Sequence, residues 1–431
     1  MLELNTFKRL MIRIEQLPIL FYLVKWLIIS IPIGLLVGSA SALLLVSLNT
    51  VTDYRESHHW IIALLPLAGL AIGLMYHYWG KDTVKGNNLL IDEIHKPNNI
   101  IPFRMAPLIF IGTVLTHLFG GSAGREGTAV QMGGAISDQF SRLFKMRKRD
   151  RRIMVIIGIS AGFASVFGTP LAGAVFALEI IIIGRIRYEA ILPSFLVAVI
   201  ANYTCHHLWD VAHTQYSIPY TPEITPINLL YAIAVGILFG LTAMLFSRLV
   251  HFWTKLSKDK IKYPPLRPFI GGIFIVVAVW AMGTTKYIGL GVPTIVESFR
   301  TQQEWYDFLL KILFTTFTIG VGFKGGEVTP LFFIGAALGS ALFGIIPLPI
   351  ALLAGMGFVG VFAGATNTPI TCTLMGIELF GAESAVFIAI VCIISYLFSG
   401  HSGIYSSQII GSPKHQIYER LKGKNLYSIN K

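Results

Sequence analysis

The chain is short of charge: only 13% of its 431 residues are Asp, Glu, Lys or Arg, while 54% are hydrophobic. Soluble domains carry about 25% charged residues, so a water-soluble globule is excluded and an integral membrane protein is expected. Cysteine is scarce too. Cys205, Cys372 and Cys392 are scattered with no CxxC pair, which excludes a disulfide framework and a zinc site. They read as packing residues, and no metal or cofactor is expected. Acidic residues are the rarer sign, 22 against 34 Lys and Arg, for a net charge of +12. Nucleic acid would suit that excess, but the cations cluster between apolar runs, as the cytoplasmic loops of membrane proteins require. No nucleic-acid partner is expected. Residues 1–21 lack an early apolar core with a small-residue cleavage site, so no cleaved signal peptide is expected. With Lys8, Arg9 and Arg13, this segment reads as amphipathic and lying on the cytoplasmic membrane surface.

What the chain has in quantity is apolar runs of about 20 residues, enough to cross a bilayer, and many are interrupted by Gly or Pro. Broken helices are favoured over a barrel. The first membrane repeat is placed at 22–228, with crossings from Tyr22 to Leu48 (carrying Pro32 and Gly34) and from Trp60 to Trp79, then a polar stretch from Lys81 to Ile101 and an apolar run from Phe103 to Phe119. A small-residue helix from Glu126 to about Phe140 is followed by a basic cytoplasmic loop, Arg142 to Arg152. Ile153 to Gly184 runs between that loop and a second basic marker, Arg185 and Arg187. A segment flanked by two cytoplasmic markers goes in and comes back, so it is expected to be a re-entrant hairpin turning at Gly168-Thr-Pro170 and buried in protein. The loop from Asn202 to Asn228 contains no Lys or Arg and is placed outside. The second membrane repeat is placed at 229–412 and a basic cytoplasmic tail at 413–431.

The two halves resemble each other. Gly124-Arg-Glu-Gly-Thr128 aligns with Gly325-Gly-Glu-Val-Thr329, and Gly168-Thr-Pro-Leu through Glu179 aligns with Asn367-Thr-Pro-Ile through Glu378, both at offsets of about two hundred residues. Interrupted segments at corresponding places in two halves point to a transporter's midplane site. Four breaks are expected to converge there: Gly86-Asn87, Gly124 to Thr128, Gly325 to Thr329, and Ser402 to Tyr405. The stretch from Gly120 to Thr128 is either a polar surface loop or a buried one that binds an anion. The second reading is favoured, because the glycines free backbone N–H groups at a helix start. Glu126 would compete with that anion when charged and vacate its place when protonated. A fixed cation in the site would hold the ion too long, so dipoles and amides serve better.

These residues together resemble the CLC family of anion channels and anion/proton antiporters. The likeness covers nearly the whole membrane region: the Gly-Arg-Glu-Gly segment, Pro170-Leu-Ala-Gly173, the glycine-rich opening before Leu331, and the late Tyr405. It implies an all-α inverted-repeat bundle of tilted, broken and re-entrant helices, a homodimer with a pathway in each subunit, Glu126 as the gating glutamate and Tyr405 as an inner hydroxyl at the anion site. The departures carry more information. Asn87 and Asn88 stand where chloride members usually have Gly-Ser-Gly-Ile-Pro, and Thr128 replaces a proline. Ile180 occupies the place of the inner proton glutamate. Glu327 and Thr329 fall where Gly-x-Phe-x-Pro is usual. All four changes resemble the fluoride branch, whose members are fluoride/proton antiporters.

The expected function is therefore fluoride export in exchange for protons across the cell inner membrane, by a multi-pass secondary transporter, not an enzyme, with both termini cytoplasmic. Its partners are fluoride or chloride, protons, lipid and a second copy of the chain. Glu126 and Glu327 are expected to carry protons. Asn87, Asn88, Gly124, Arg125, Gly127, Thr128, Val328, Thr329 and Tyr405 are expected around the anion, the Arg125 side chain pairing with a carboxylate. Glu327 could instead cap the helix that starts at Val328. Glu179 and Glu378 are expected to be hydrogen-bonded rather than proton carriers; His117 and His401 to be packing residues; Asp92 and Glu93 to end a solvated helix or line a vestibule; Phe323 and Phe332 to line the pathway or fill core. Rival readings are a passive chloride channel, favoured by Ile180, a chloride/proton antiporter, and an intramembrane serine protease using Ser402 of Gly400-His-Ser-Gly403.

Overall fold

A computed structural model describes residues 16–429; Lys8, Arg9 and Arg13 lie outside them. The chain is a bundle of helices. α1 spans Gln16–Ser57, α2 Leu65–Trp79, α3 Asn87–His95, α4 Met105–Leu118, α5 Glu126–Leu143, α6 Lys148–Phe167, α7 Pro170–Glu179 and α8 Ile191–Tyr203. α9 spans Pro226–Lys260, α10 Leu266–Met282, α11 Val292–Ser298, α12 Asp307–Gly320, α13 Val328–Ala341, α14 Ile350–Thr366, α15 Pro369–Phe380 and α16 Ala385–Phe398. A two-stranded parallel ribbon pairs β1, Ile182–Ile183, with β2, Ile409–Ile410.

Among the described residues, four helical stretches are long and apolar enough to cross a bilayer, and only 39–50% of each apolar window is buried inside the protein. Much of the remaining surface is hydrocarbon on the outside, such as Ile28, Leu43, Leu67 and Leu230, and the shorter α10 adds Phe274 and Trp280. At 42 residues, α1 is about 63 Å long, twice the hydrocarbon thickness, so it tilts and extends beyond it. Inside this shell lie α5, α6, α13 and α14, buried on almost every face. Their small residues let backbones touch. A Cβ on Gly133 would lie 2.2 Å from the Gly158 carbonyl oxygen, and one on Gly335 would lie 2.0 Å from that of Gly357. Both halves use the same close crossing, which membrane helices favour because lipid tails compete with larger side chains for apolar contact.

The re-entrant hairpin forms as its turn residues require. α6 ends at Gly168 and α14 at Asn367, both in the left-handed region with φ of 73° and 60°. A threonine and a proline follow each, and the proline opens the returning helix, where its missing N–H costs nothing. Each returning helix is capped from the other half. Glu179 at the end of α7 accepts from Ile370 N, Thr371 N and the Thr371 hydroxyl at 2.7–3.1 Å, and Glu378 on α15 accepts from Leu171 N and Ala172 N at 3.0 and 2.8 Å.

Some boundaries move. α1 begins before Tyr22, and α9 begins at Pro226 with Thr225 as its N-cap, so the division between 228 and 229 falls inside a helix. The basic loop is short because Lys148–Arg152 opens α6; Arg151 is buried, paired with Asp138 and Glu93 at 2.9 and 3.0 Å, which draws the turn inward. α3 is a helix inside the polar stretch from Lys81 to Ile101, and α11 is a seven-residue helix between the longer α10 and α12.

Candidate functional site

The site is built where α5 and α13 begin. Their preceding loops lie side by side, Gly124 N donating to Gly326 O at 2.5 Å and Gly326 N to Gly124 O at 2.7 Å. This exchange holds two helix N-termini together, each with backbone N–H groups that its own helix leaves unbonded. Glu126 crosses from one to the other. Its Oε1 accepts from the Thr329 hydroxyl at 2.5 Å, and its Oε2 from Thr329 N at 3.0 Å and Arg125 N at 3.2 Å. The carboxylate is 1% exposed. The Arg125 Nε is 3.6 Å from Oε1, an ion pair without a hydrogen bond.

Glu327 reaches the other way. A Cβ on Gly127 would sit 3.1 Å from Asn87 Nδ2 and 3.7 Å from Glu327 Oε2, so Asn87 and Glu327 meet at the start of α5. The Asn87 Oδ1 is buried and has no hydrogen-bond partner among the described residues. Asn88 ties the first break to the last, its Oδ1 accepting from Ser407 N at 2.9 Å. Tyr405 is buried in that last loop, two residues before Ser407. The four breaks therefore come together.

Not every expected residue contributes. The Gly124 N–H is taken by Gly326, and the Thr128 hydroxyl faces α4, 2.7 Å from that of Thr113. Val328 supplies the first residue of α13. Phe332 lines the cavity over Glu126, stacked on Phe358 at 3.8 Å between centroids, whereas Phe323 packs against Gly69 of α2. His117 packs and also braces the glycine loop, its ring nitrogens facing the Thr113 and Ala123 carbonyls at 2.8 and 3.0 Å, while buried Arg55 donates to the His117 carbonyl. Glu93 bonds Asn98 N and Arg151, and Asp92 pairs with Lys85, so both are spent at the end of α3. His401 accepts from Lys414 N, and the Ser402 hydroxyl donates to the Ser399 carbonyl at 2.7 Å. That bond points the hydroxyl at a carbonyl rather than a base, which leaves the protease reading without geometry.

Sequence reasoning missed the lid of the cavity. His213, Thr214 and Tyr216, from the loop between α8 and α9, line it with Arg125, Glu126 and Thr329. It also missed Gln131, one turn along α5 from Gly127, whose amide lies against Gly86. A glutamine one turn beyond the Gly-Arg-Glu-Gly motif was a usable signal; the loop offered only its histidines.

A family described as voltage gated chloride channel matches residues 68–400. The chain belongs to this family, the CLC anion channels and transporters. Over 412 residues it is 54% identical to a chloride/fluoride channel protein of Pseudomonas syringae pv. tomato, covering 94% of this chain and 90% of the relative. A voltage-gated ClC-type chloride channel of Salmonella typhimurium is 26% identical over 89% of this chain and 92% of its own. Among solved structures, a CLC-type fluoride/proton antiporter superposes with a TM-score of 0.87 at 35% identity, covering 90% of this chain and 98% of that one. A slow cyanobacterial Cl-/H+ antiporter shares the fold, with a TM-score of 0.76 at 20% identity over 94% and 96%. This CLC protein is thus an all-α inverted-repeat membrane protein and an ion channel or transporter, not an enzyme.

Proposed function

We propose that this CLC protein exports fluoride across the cell inner membrane in exchange for protons. One observation carries the reading: the Glu126 carboxylate occupies three converging donors, two backbone N–H groups and the Thr329 hydroxyl, in the pattern an anion needs. Charged, Glu126 fills the place; protonated, it loses its attraction to those donors and yields them to the anion. Binding of one and departure of the other are then the same event, which is how an exchanger couples two ions.

Fluoride is favoured over chloride because it is small and strongly hydrated, and a site that strips its water must return several hydrogen bonds. Asn87, Asn88, Thr329 and Tyr405 are the side-chain donors available at the converging breaks. Glu327, beside Asn87 and Gly127, is the second proton carrier, since Ile180 is apolar and buried and no acid stands there. The 35% identical structural neighbour is a fluoride/proton antiporter, which supports the same assignment. Two copies assemble, each with its own pathway. Leu171 and Ile370, equivalent residues 44% and 49% exposed at the starts of α7 and α15, offer apolar surface to a second copy. The cation-free 202–228 loop lies outside and both termini inside.

The test is purified protein in liposomes under a fluoride gradient, with internal pH followed. Proton movement against its gradient is the expected result, with a much smaller response to chloride. Glu126→Gln is expected to abolish coupled proton movement. The second reading, a passive channel, draws on Ile180 and requires anion flux without proton movement.

A further inference from the structure

The loop over Glu126 carries a row of histidines. α8 runs on into a π-turn, Thr204–Leu208, a rare geometry often found at functional sites, and the turn holds His206 and His207. His207 is exposed. His206 is partly buried, its Nδ1 donating to the Val211 carbonyl at 2.9 Å, and its ring centroid is 5.0 Å from that of His207. On its other side His213 stacks at 5.2 Å with the rings 22° from parallel. His213 lies over the hairpin turn, where a Cβ on Gly168 would come within 2.7 Å of its ring, and it lines the cavity that Glu126 lines. Its Nε2 is buried and has no hydrogen-bond partner among the described residues. The described residues place no group of histidines, cysteines and acids to hold a metal ion.

We infer that His207, His206 and His213 form a proton ladder from the exposed end of α8 to the cavity above Glu126, supplying the proton that releases its carboxylate. The inference rests on the antiport reading and names the route for one of its two ions. A carboxylate that is 1% exposed and wrapped by donors presents almost no surface to water, so a carrier on the cavity wall serves it. Rings about 5 Å apart at their centroids are one water or one ring tilt from proton transfer. In the last step the imidazolium N–H bond of His213 breaks, an O–H bond forms on Glu126, and the imidazole is left neutral.

The groups facing His213 are Arg125 and Glu126 from the start of α5, His206 from the π-turn, and Tyr216 from its own loop. The Gly168 turn adds none. Burial first, then His206 and Arg125, push His213 down to about 4. It is therefore neutral at ordinary pH and passes protons on instead of storing them, and acid on the loop side raises its loading.

Full-length protein in liposomes tests this with His206→Gln, His213→Gln and the double variant, following fluoride and proton fluxes against the pH on the side of the 202–228 loop. Each single change is expected to slow both fluxes at neutral pH by at least about tenfold, with the fluoride-to-proton ratio intact and the loss relieved by acid. The double variant is expected to be no slower than the slower single one, because rungs in series fail together. Wild-type rates in His213→Gln, a changed ion ratio, or losses that multiply would overturn the ladder while leaving antiport standing. If His213→Gln fails to insert, wild-type rates in His206→Gln overturn it as well. Wild-type protein that moves fluoride without protons overturns both readings.

Discussion

Thr329 holds the Glu126 carboxylate with two different groups, a backbone N–H and a hydroxyl, and substitution separates them. Thr329→Val keeps the shape and the N–H but removes the hydroxyl. A hydrogen bond to a charged partner contributes about 1.5–3 kcal/mol, so apparent fluoride affinity, read from the concentration dependence of flux, is expected to fall roughly tenfold or more. Thr329→Ser is expected to restore it. Glu327→Gln tests the other carboxyl: with the amide beside Asn87 and Gly127, fluoride flux is expected to persist while proton movement stops, as paired flux measurements would record. The motif residues Glu126, Thr329 and Asn87 were legible because a charge or an amide among glycines in an apolar chain has few other uses. Thr128 was misleading. Its repeat partner Thr329 faces the site, but Thr128 turns to Thr113, a choice made by the neighbouring helix that no local pattern contains.

Helices α7 and α15 are short, begin at a proline after a left-handed turn, and rely on a carboxylate from the opposite half to satisfy their first N–H groups. Losing an N-cap costs about 0.5–2 kcal/mol, and a buried N–H left bare adds to it. Glu179→Ala is therefore expected to lower the thermal midpoint in detergent clearly. The glycines of α5 and α6 make a sharper contrast. A Cβ on Gly158 would meet the Ser137 hydroxyl at 2.2 Å and the Gly133 carbonyl at 2.4 Å, whereas one on Gly283, with φ of 63°, meets nothing within 4 Å. Gly158→Ala is expected to abolish folded protein on size-exclusion chromatography, and Gly283→Ala to cost only about 1 kcal/mol of backbone strain. The hairpins and the small-residue helices could be read from sequence, because basic markers, Gly-Thr-Pro turns and glycine spacing are local. Helix α11 could not, because at seven residues it is too short to leave a periodic pattern.

At the scale of the whole molecule the chain closes on itself. β2 pairs with β1, and the buried side chain of Gln408 donates to the Ile180 and Thr366 carbonyls, both at 2.8 Å, joining the tail to both re-entrant hairpins just after Tyr405. Gln408→Leu leaves those carbonyls without a donor, at about 1–3 kcal/mol each. It is expected to lower both thermal midpoint and transport rate, because the loop carrying Tyr405 loses its anchor. The sequence by itself determined a membrane protein, two related halves, four helix breaks and the acids at two of them. Each follows from what a bilayer forbids within a few turns of chain: bare backbone, stray charge and unbroken polar stretches. Only the tertiary structure decided that Glu126 ends against Thr329, 203 residues away, that Gly124 gives its N–H to Gly326, and that a loop with histidines covers the cavity. Those outcomes depend on how two distant half-helices are held at their starts, and such a separation leaves no periodic trace along the chain.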